Sequence, residues 1–274
     1  VGDPADLATD VGPIIDLEAL DRLQSHIDYL EGKGQLLYRC PLDDTAAGGH
    51  FFAPALYELA TIDLLPREVF GPIVHLIRFP ADELESLPSA INSTGYGLTF
   101  GVHSRIEPTI DLLSSHVQAG NIYVNRNIIG AVVGVQPFGG HGLSGTGPKA
   151  GGPFYLPRLV RPATDQPGVT TPAAPTQDLP VTAGEPDWPD LVAGLHKAST
   201  AWRATPMPQR IACAVRLRNS FIGDTERDLT QLLAAIDSLI AQAGEVERPL
   251  ELPGPTGESN TLTLEPRGVV GCLW

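Results

Sequence analysis

Two stretches of this chain hold residue types whose spacing could do chemistry. The first runs from Gly120 to Tyr155, GNIYVNRNIIGAVVGVQPFGGHGLSGTGPKAGGPFY, with glycine at 120, 130, 134, 139, 140, 142, 145, 147, 151 and 152. Each glycine costs backbone entropy unless positive φ or close approach requires it. One reading is a loop that offers backbone N–H groups to an anion where side chains would block approach. The other is a set of tight turns linking buried strands, and the pattern alone does not choose between them. The second stretch is REVFGPIVHLIRF, residues 67–79, in which Glu68 and Phe70 precede Gly71-Pro72 and an apolar run. A carboxylate just before a strand can accept hydrogen bonds from ribose hydroxyls, the common way an acidic residue recognises a dinucleotide. Alone, Glu68 reads equally as a solvated charge and Phe70 as a core residue.

These residues need elements to position them. Leu20, Leu23, Ile27 and Leu30 share one helical face, with Asp16 as cap and Gly32 as stop. QLLYR (35–39), PIVHLIRF (72–79), LTFGVHS (98–104) and NIYVN (121–125) read as strands, and 107–117 as a helix. Strands alternating with helices predict an α/β fold with a mostly parallel sheet. Residues 162–186 contain Pro162, Pro167, Pro172, Pro175, Pro180 and Pro186, which a helix or central strand cannot hold. They read as an extended linker. Beyond it, WPDLVAGLHKASTAWRA, MPQRIACAVRLRNSFI and DLTQLLAAIDSLIAQAG read as consecutive amphipathic helices, followed by a turn-rich loop and two short strands.

Composition narrows the function classes. The formal net charge of −14, with no basic run, argues against a nucleic-acid partner. The three cysteines, Cys40, Cys213 and Cys272, are odd in number and widely spaced, which argues against a disulfide framework or zinc site and fits a reducing, cytoplasmic setting. Each reads as a structural side chain rather than a nucleophile. His26, His50, His75, His103, His116, His141 and His196 show no metal-ligand spacing, so no metal is expected. No apolar run approaches the ~20 residues that span a bilayer. The chain starts without Met and stops within the apolar VVGCLW, which reads as cut at both ends.

EVFGP, INSTGYGLTFGVHSR, GNIYVN and PFGG occur in an order that resembles the C-terminal half of the catalytic region in the aldehyde dehydrogenase superfamily. The opening VGDPADLATDVGPIID resembles the segment that follows that superfamily's nucleophile. GAVVGVQPFGGHGLSGTGPKAGGP is similar to the glutamate-semialdehyde (pyrroline-5-carboxylate) dehydrogenases, especially the proline utilization A family, and the likeness covers residues 1–161. The resemblance implies NAD as cofactor, with Glu68 on the nicotinamide ribose and Phe70 against the nicotinamide. It implies that N–H groups of Gly130 and Ala131 bind the substrate α-carboxylate and that Phe138 packs along the aliphatic part. It also implies that the nucleophilic Cys and the Glu base lie upstream of Val1, so the chain holds no catalytic residue of its own. PFYLPRLV (153–160) resembles the superfamily's oligomerisation strand, which implies a homo-oligomer.

LPGPTGESNTLTLEPRGVV resembles the start of the non-catalytic, aldehyde-dehydrogenase-like domain of the longer proline utilization A proteins. The expected organisation is therefore a catalytic-domain part at 1–161, a linker at 162–186 and the start of that extra domain at 187–274. A flavin-dependent (FAD) proline dehydrogenase would lie in the absent upstream half. Two alternatives stay open: a stand-alone semialdehyde dehydrogenase with a tail, and a non-catalytic scaffold lacking the nucleophile.

Overall fold

The computed structural model describes residues 1–42, 46, 48–145, 147–160, 188–203, 205–222 and 230–265. The expected linker, the final VVGCLW run and Cys272 lie outside the described residues. The chain forms two compact units that do not follow chain order. One is Val1–Gly130 with Phe138–Ala150, and the other is Ala131–Pro137 with Gly151–Trp274.

In the first unit, helix α1 (Leu17–Leu30) begins where Asp16 Oδ1 accepts the Ala19 N–H at 2.7 Å. This satisfies one of the amides that a helix start leaves unbonded. It ends at Glu31, and Gly32 at φ 76° supplies the left-handed residue that turns the chain. Strand β1 (Gly34–Arg39) pairs antiparallel with β2 (Ala55–Leu59), and β2 pairs parallel with β3 (Ile73–Ile77). Leu23, Ile27 and Leu30 of α1 pack on Phe52, Ala55, Tyr57, Leu59 and Ile73. Leu23 and Leu30 are fully buried, and each contributes roughly 1.5–3 kcal/mol through removal from water. Gly71 lets the chain enter β3 beneath α1, since a Cβ there would stand 2.4 Å from Leu23 Cδ2.

Farther on, α2 (Leu87–Asn92) precedes β4 (Tyr96–Gly97) and β5 (Thr99–Val102). Helix α3 (Glu107–His116) then crosses to β6 (Asn121–Val124), parallel to β5. Asn92 ties α2 to the end of α3, donating to the His116 carbonyl and accepting from the Gln118 N–H, both at 2.8 Å. β7 (His141–Gly142) returns antiparallel to β4. In the second unit, α4 (Trp188–Arg203), α5 (Met207–Phe221) and α6 (Thr230–Val246) are followed by the hairpin β8 (Leu250–Leu252) and β9 (Asn260–Leu262). α5 and α6 pack together, with Arg218 paired to Asp237. From residue 188 onward, Ile236 and Leu262 are the buried hydrophobic residues among those described.

Two expectations need correction, and one strand was not foreseen. Among the described residues the strands form four small sheets of mixed direction rather than one largely parallel sheet. β2, within ALYEL, was not anticipated, because Ala, Leu and Glu favour helix while burial alternates as a strand requires. Residues 153–160 are not a strand: they form turns and a 3-10 helix at Leu156–Arg158. Pro153 and Pro157 donate no N–H to a ladder, and a lone edge has no partner to hold it extended.

Candidate functional site

The crossover from β2 to β3 shapes one wall of a cleft of about 360 Å³ in the first unit. Arg67, Glu68 and Val69 line it, with His75 of β3, Thr94, Tyr96 and Thr99 from the β4–β5 region, and Ser144 after β7. Glu68 is exposed, so its carboxylate is hydrated and able to accept. The Ser144 hydroxyl oxygen accepts the Gly97 N–H at 3.0 Å, joining two of the cleft's walls. The hydroxyl-bearing residues Thr94, Tyr96, Thr99 and Ser144 share this cleft with the Glu68 carboxylate. Phe70 does not line the cleft. It stands 90% exposed, an aromatic ring without cover from this chain.

In part of the glycine-rich block, close backbone approach requires glycine. A Cβ on Gly120 would meet the Gly139 carbonyl oxygen at 1.8 Å, and one on Gly140 would meet the Ser144 carbonyl oxygen at 2.2 Å. There glycine permits backbone to pack on backbone. Lys149, which the sequence did not single out, secures this packing. Its Nζ donates to the Gly120 carbonyl and, at 3.2 Å, to Oδ1 of the buried Asn121. Phe138 exchanges backbone hydrogen bonds with Ala150 at 2.9 and 2.8 Å and keeps its ring 37% exposed.

Gly130 differs. Its φ is 75°, and an added Cβ would meet nothing within 4 Å. Both Gly130 and Ala131 are exposed, and their N–H groups make no hydrogen bond among the described residues. Within the other compact unit, the loop that starts at Ala131 is closed on Gln136, whose Oε1 accepts the Val132 N–H at 3.0 Å.

Of the remaining candidates, Cys40 follows β1 with its N–H bonded to the Pro54 carbonyl, and Cys213 lies on α5 with Arg216 Nη2 2.9 Å from its Sγ. Both are half-buried rather than enclosed. Groups of three or more metal-ligating residues are absent among the described residues, and no described helix is long and apolar enough to cross a membrane.

A pair of histidines escaped the sequence reading because only the fold brings them together. His26 lies on the apolar face of α1 and His75 in apolar β3, and their Nε2 atoms are 2.9 Å apart. One ring must donate and the other accept, so a doubly protonated pair is excluded. Burial first, and the Arg67 charge second, hold His26 below its ordinary 6.5. Burial, then His26, do the same to His75. Both groups therefore bind protons more weakly folded than unfolded. The stability they contribute is complete above pH 6.5 and is lost as pH falls through the lowered folded values. The thermal midpoint is expected to fall between about pH 7 and about pH 5, the range spanning histidine titration. The double variant His26→Gln/His75→Gln should flatten that fall in calorimetry, and an unchanged slope would reject the pair as its source.

The aldehyde dehydrogenase family profile matches residues 1–164. The bifunctional protein PutA of Klebsiella aerogenes is 42% identical over 100% of this chain, which covers 19% of that protein. The 1-pyrroline-5-carboxylate dehydrogenase of Geobacillus kaustophilus is 39% identical over 57% of the chain, covering 30% of that enzyme. A crystal structure of proline utilization A from Bradyrhizobium japonicum superposes with a TM-score of 0.55 at 56% identity, over 58% of this chain and 16% of the other. The chain thus spans about a fifth of the length of the PutA relatives it matches. The cleft at the β2–β3 crossover and the glycine-rich block both fall inside the matched residues, and this chain belongs to the aldehyde dehydrogenase family.

Proposed function

We propose that this chain is the C-terminal part of an NAD-dependent dehydrogenase that oxidises L-glutamate γ-semialdehyde to glutamate, within a protein that also oxidises proline. The observation that carries this reading is the pair of N–H groups at Gly130 and Ala131, unbonded among the described residues, with open space beside Gly130. Such amides favour a carboxylate at the non-reacting end of an aldehyde substrate. The Phe138 ring supplies apolar surface for intervening methylenes. Glu68 accepts from the ribose hydroxyls of NAD, and Phe70, bare in this chain, gains cover from the nicotinamide. Bound there, NAD supplies the hydride acceptor. The thiol nucleophile and the water-activating carboxylate come from sequence outside this chain.

Likeness over the whole chain to PutA proteins, against 57% for the stand-alone dehydrogenase, favours the bifunctional reading over a stand-alone enzyme with a tail. On that reading, residues 187–274 begin a non-catalytic domain, FAD belongs to the proline-oxidising part, and the protein works in the cytoplasm. The test uses the complete protein. Glutamate semialdehyde should be oxidised with NAD reduction, and Glu68→Ala should raise KM for NAD about tenfold, the worth of one hydrogen bond to a charged acceptor. An unchanged KM for NAD would remove Glu68 from the cofactor site.

A further inference from the structure

Gln136 is a buried amide with both ends engaged. Its Oε1 accepts the Val132 N–H at 3.0 Å, and its Nε2 donates to Glu258 Oε2 at 3.2 Å. The Val132 carbonyl in turn accepts the Val135 and Gln136 N–H groups at 3.1 and 2.8 Å. Val132 to Gln136 is therefore a closed turn, and its first amide immediately follows the N–H of Ala131. Glu258 stands in the connection between β8 and β9, 122 residues from Gln136 in sequence yet in the same compact unit. That connection is shaped by its own bonds: the Glu258 N–H donates to the Pro255 carbonyl at 3.1 Å, and Gly257 takes φ 92°.

The direction of these bonds matters. An ionised carboxylate only accepts, so Glu258 obliges the Gln136 amide to present its N–H₂ outward and its oxygen toward Val132. Without that partner the amide could turn over, placing N–H₂ against the Val132 N–H, two donors facing each other. A hydrogen bond to a charged group is also about twice as strong as a neutral one. The C-terminal hairpin thereby selects the one amide orientation that holds the loop closed.

We propose that Glu258 is a positioning residue for substrate binding: through Gln136 it fixes the turn that directly follows the Ala131 N–H, read above as a carboxylate-binding group. The C-terminal region then contributes to semialdehyde affinity without touching the substrate. This rests on the reading of Gly130 and Ala131 as the carboxylate anchor.

The experiment is steady-state kinetics on the complete protein with glutamate semialdehyde, NAD and propionaldehyde, which has no carboxylate to anchor. Glu258→Ala should raise KM for glutamate semialdehyde about tenfold, as one lost charge-assisted hydrogen bond implies. The KM for NAD, the kcat and the KM for propionaldehyde should stay within about twofold, a change too small to represent a lost bond. Glu258→Gln, whose amide oxygen still accepts, should restore most of the affinity. Gln136→Ala should match Glu258→Ala, and the double variant should add little to either. Should Glu258→Ala not fold, Glu258→Asp, one methylene shorter, gives the same readout with a smaller rise. Equal rises for propionaldehyde and NAD would mark general loosening and overturn the proposal, as would a wild-type KM for semialdehyde. Gly130→Val separates the two readings. If it raises semialdehyde KM while Glu258→Ala does not, only the role of Glu258 falls; if Gly130→Val has no such effect, the anchor and the role built on it fall together.

Discussion

Purified alone, the 274-residue chain is expected to reduce no NAD when given glutamate semialdehyde, at least about four orders of magnitude below the complete enzyme. Loss of a nucleophile from a covalent mechanism has effects of that size. Aldehyde oxidation of this kind needs a thiolate within reach of the carbonyl carbon and donors for the resulting oxyanion. Neither described cysteine lines the cleft that holds Glu68. Arg216 does lie against Cys213 Sγ, but both are on one helix turn at i and i+3, a local contact. The measurement is NADH absorbance with chain alone, with chain plus a separately expressed upstream portion, and with neither. Activity appearing only on complementation supports the assignment. Turnover by the chain alone that vanishes in Cys40→Ser would place the nucleophile here and overturn it.

Local order was the legible part of this molecule. α1 declared itself through Leu23, Ile27 and Leu30 at helical spacing, with a cap at Asp16 and a stop at Gly32, because all of that physics lies within a few residues. The βαβ passage from Thr99 to Val124 was legible for the same reason. What the sequence concealed depends on partners distant in the chain. His26 and His75 share a hydrogen bond across 49 residues, and Gln136 and Glu258 across 122. Lys149 holds Gly120 from 29 residues away. Spacing rules cannot find such pairs, although two histidines in otherwise apolar faces were a hint that each required a buried partner. The glycine block shows the same division at single positions. Its density signalled close approach, but only the fold separates Gly120 and Gly140, which face backbone, from Gly130, which faces open space. Glu68 lines a cleft, whereas Phe70 is uncovered in this chain.

In the complete protein, Gly130→Val should raise KM for glutamate semialdehyde about 100-fold while leaving KM for NAD within about twofold. The size follows from the backbone. A β-branched residue held at φ 75° costs roughly 1–2 kcal/mol, so the peptide relaxes toward negative φ. Relaxation turns the Gly130 and Ala131 N–H groups out of register, and each bond to a carboxylate is worth about 1.5–3 kcal/mol. At about 1.4 kcal/mol per decade, losing the two in part accounts for the hundredfold change. Steric damage to this chain is a poor rival explanation, because a Cβ at Gly130 meets nothing within 4 Å. A valine at Gly120 would be different, colliding with the Gly139 carbonyl and disturbing the fold itself. The selectivity has an equally local origin: the residues lining the Glu68 cleft include none from 128–131, so cofactor affinity has no direct cause to change. Equal rises in both KM values would mean that Gly130 supports the fold of the whole site, and the carboxylate would then need another anchor.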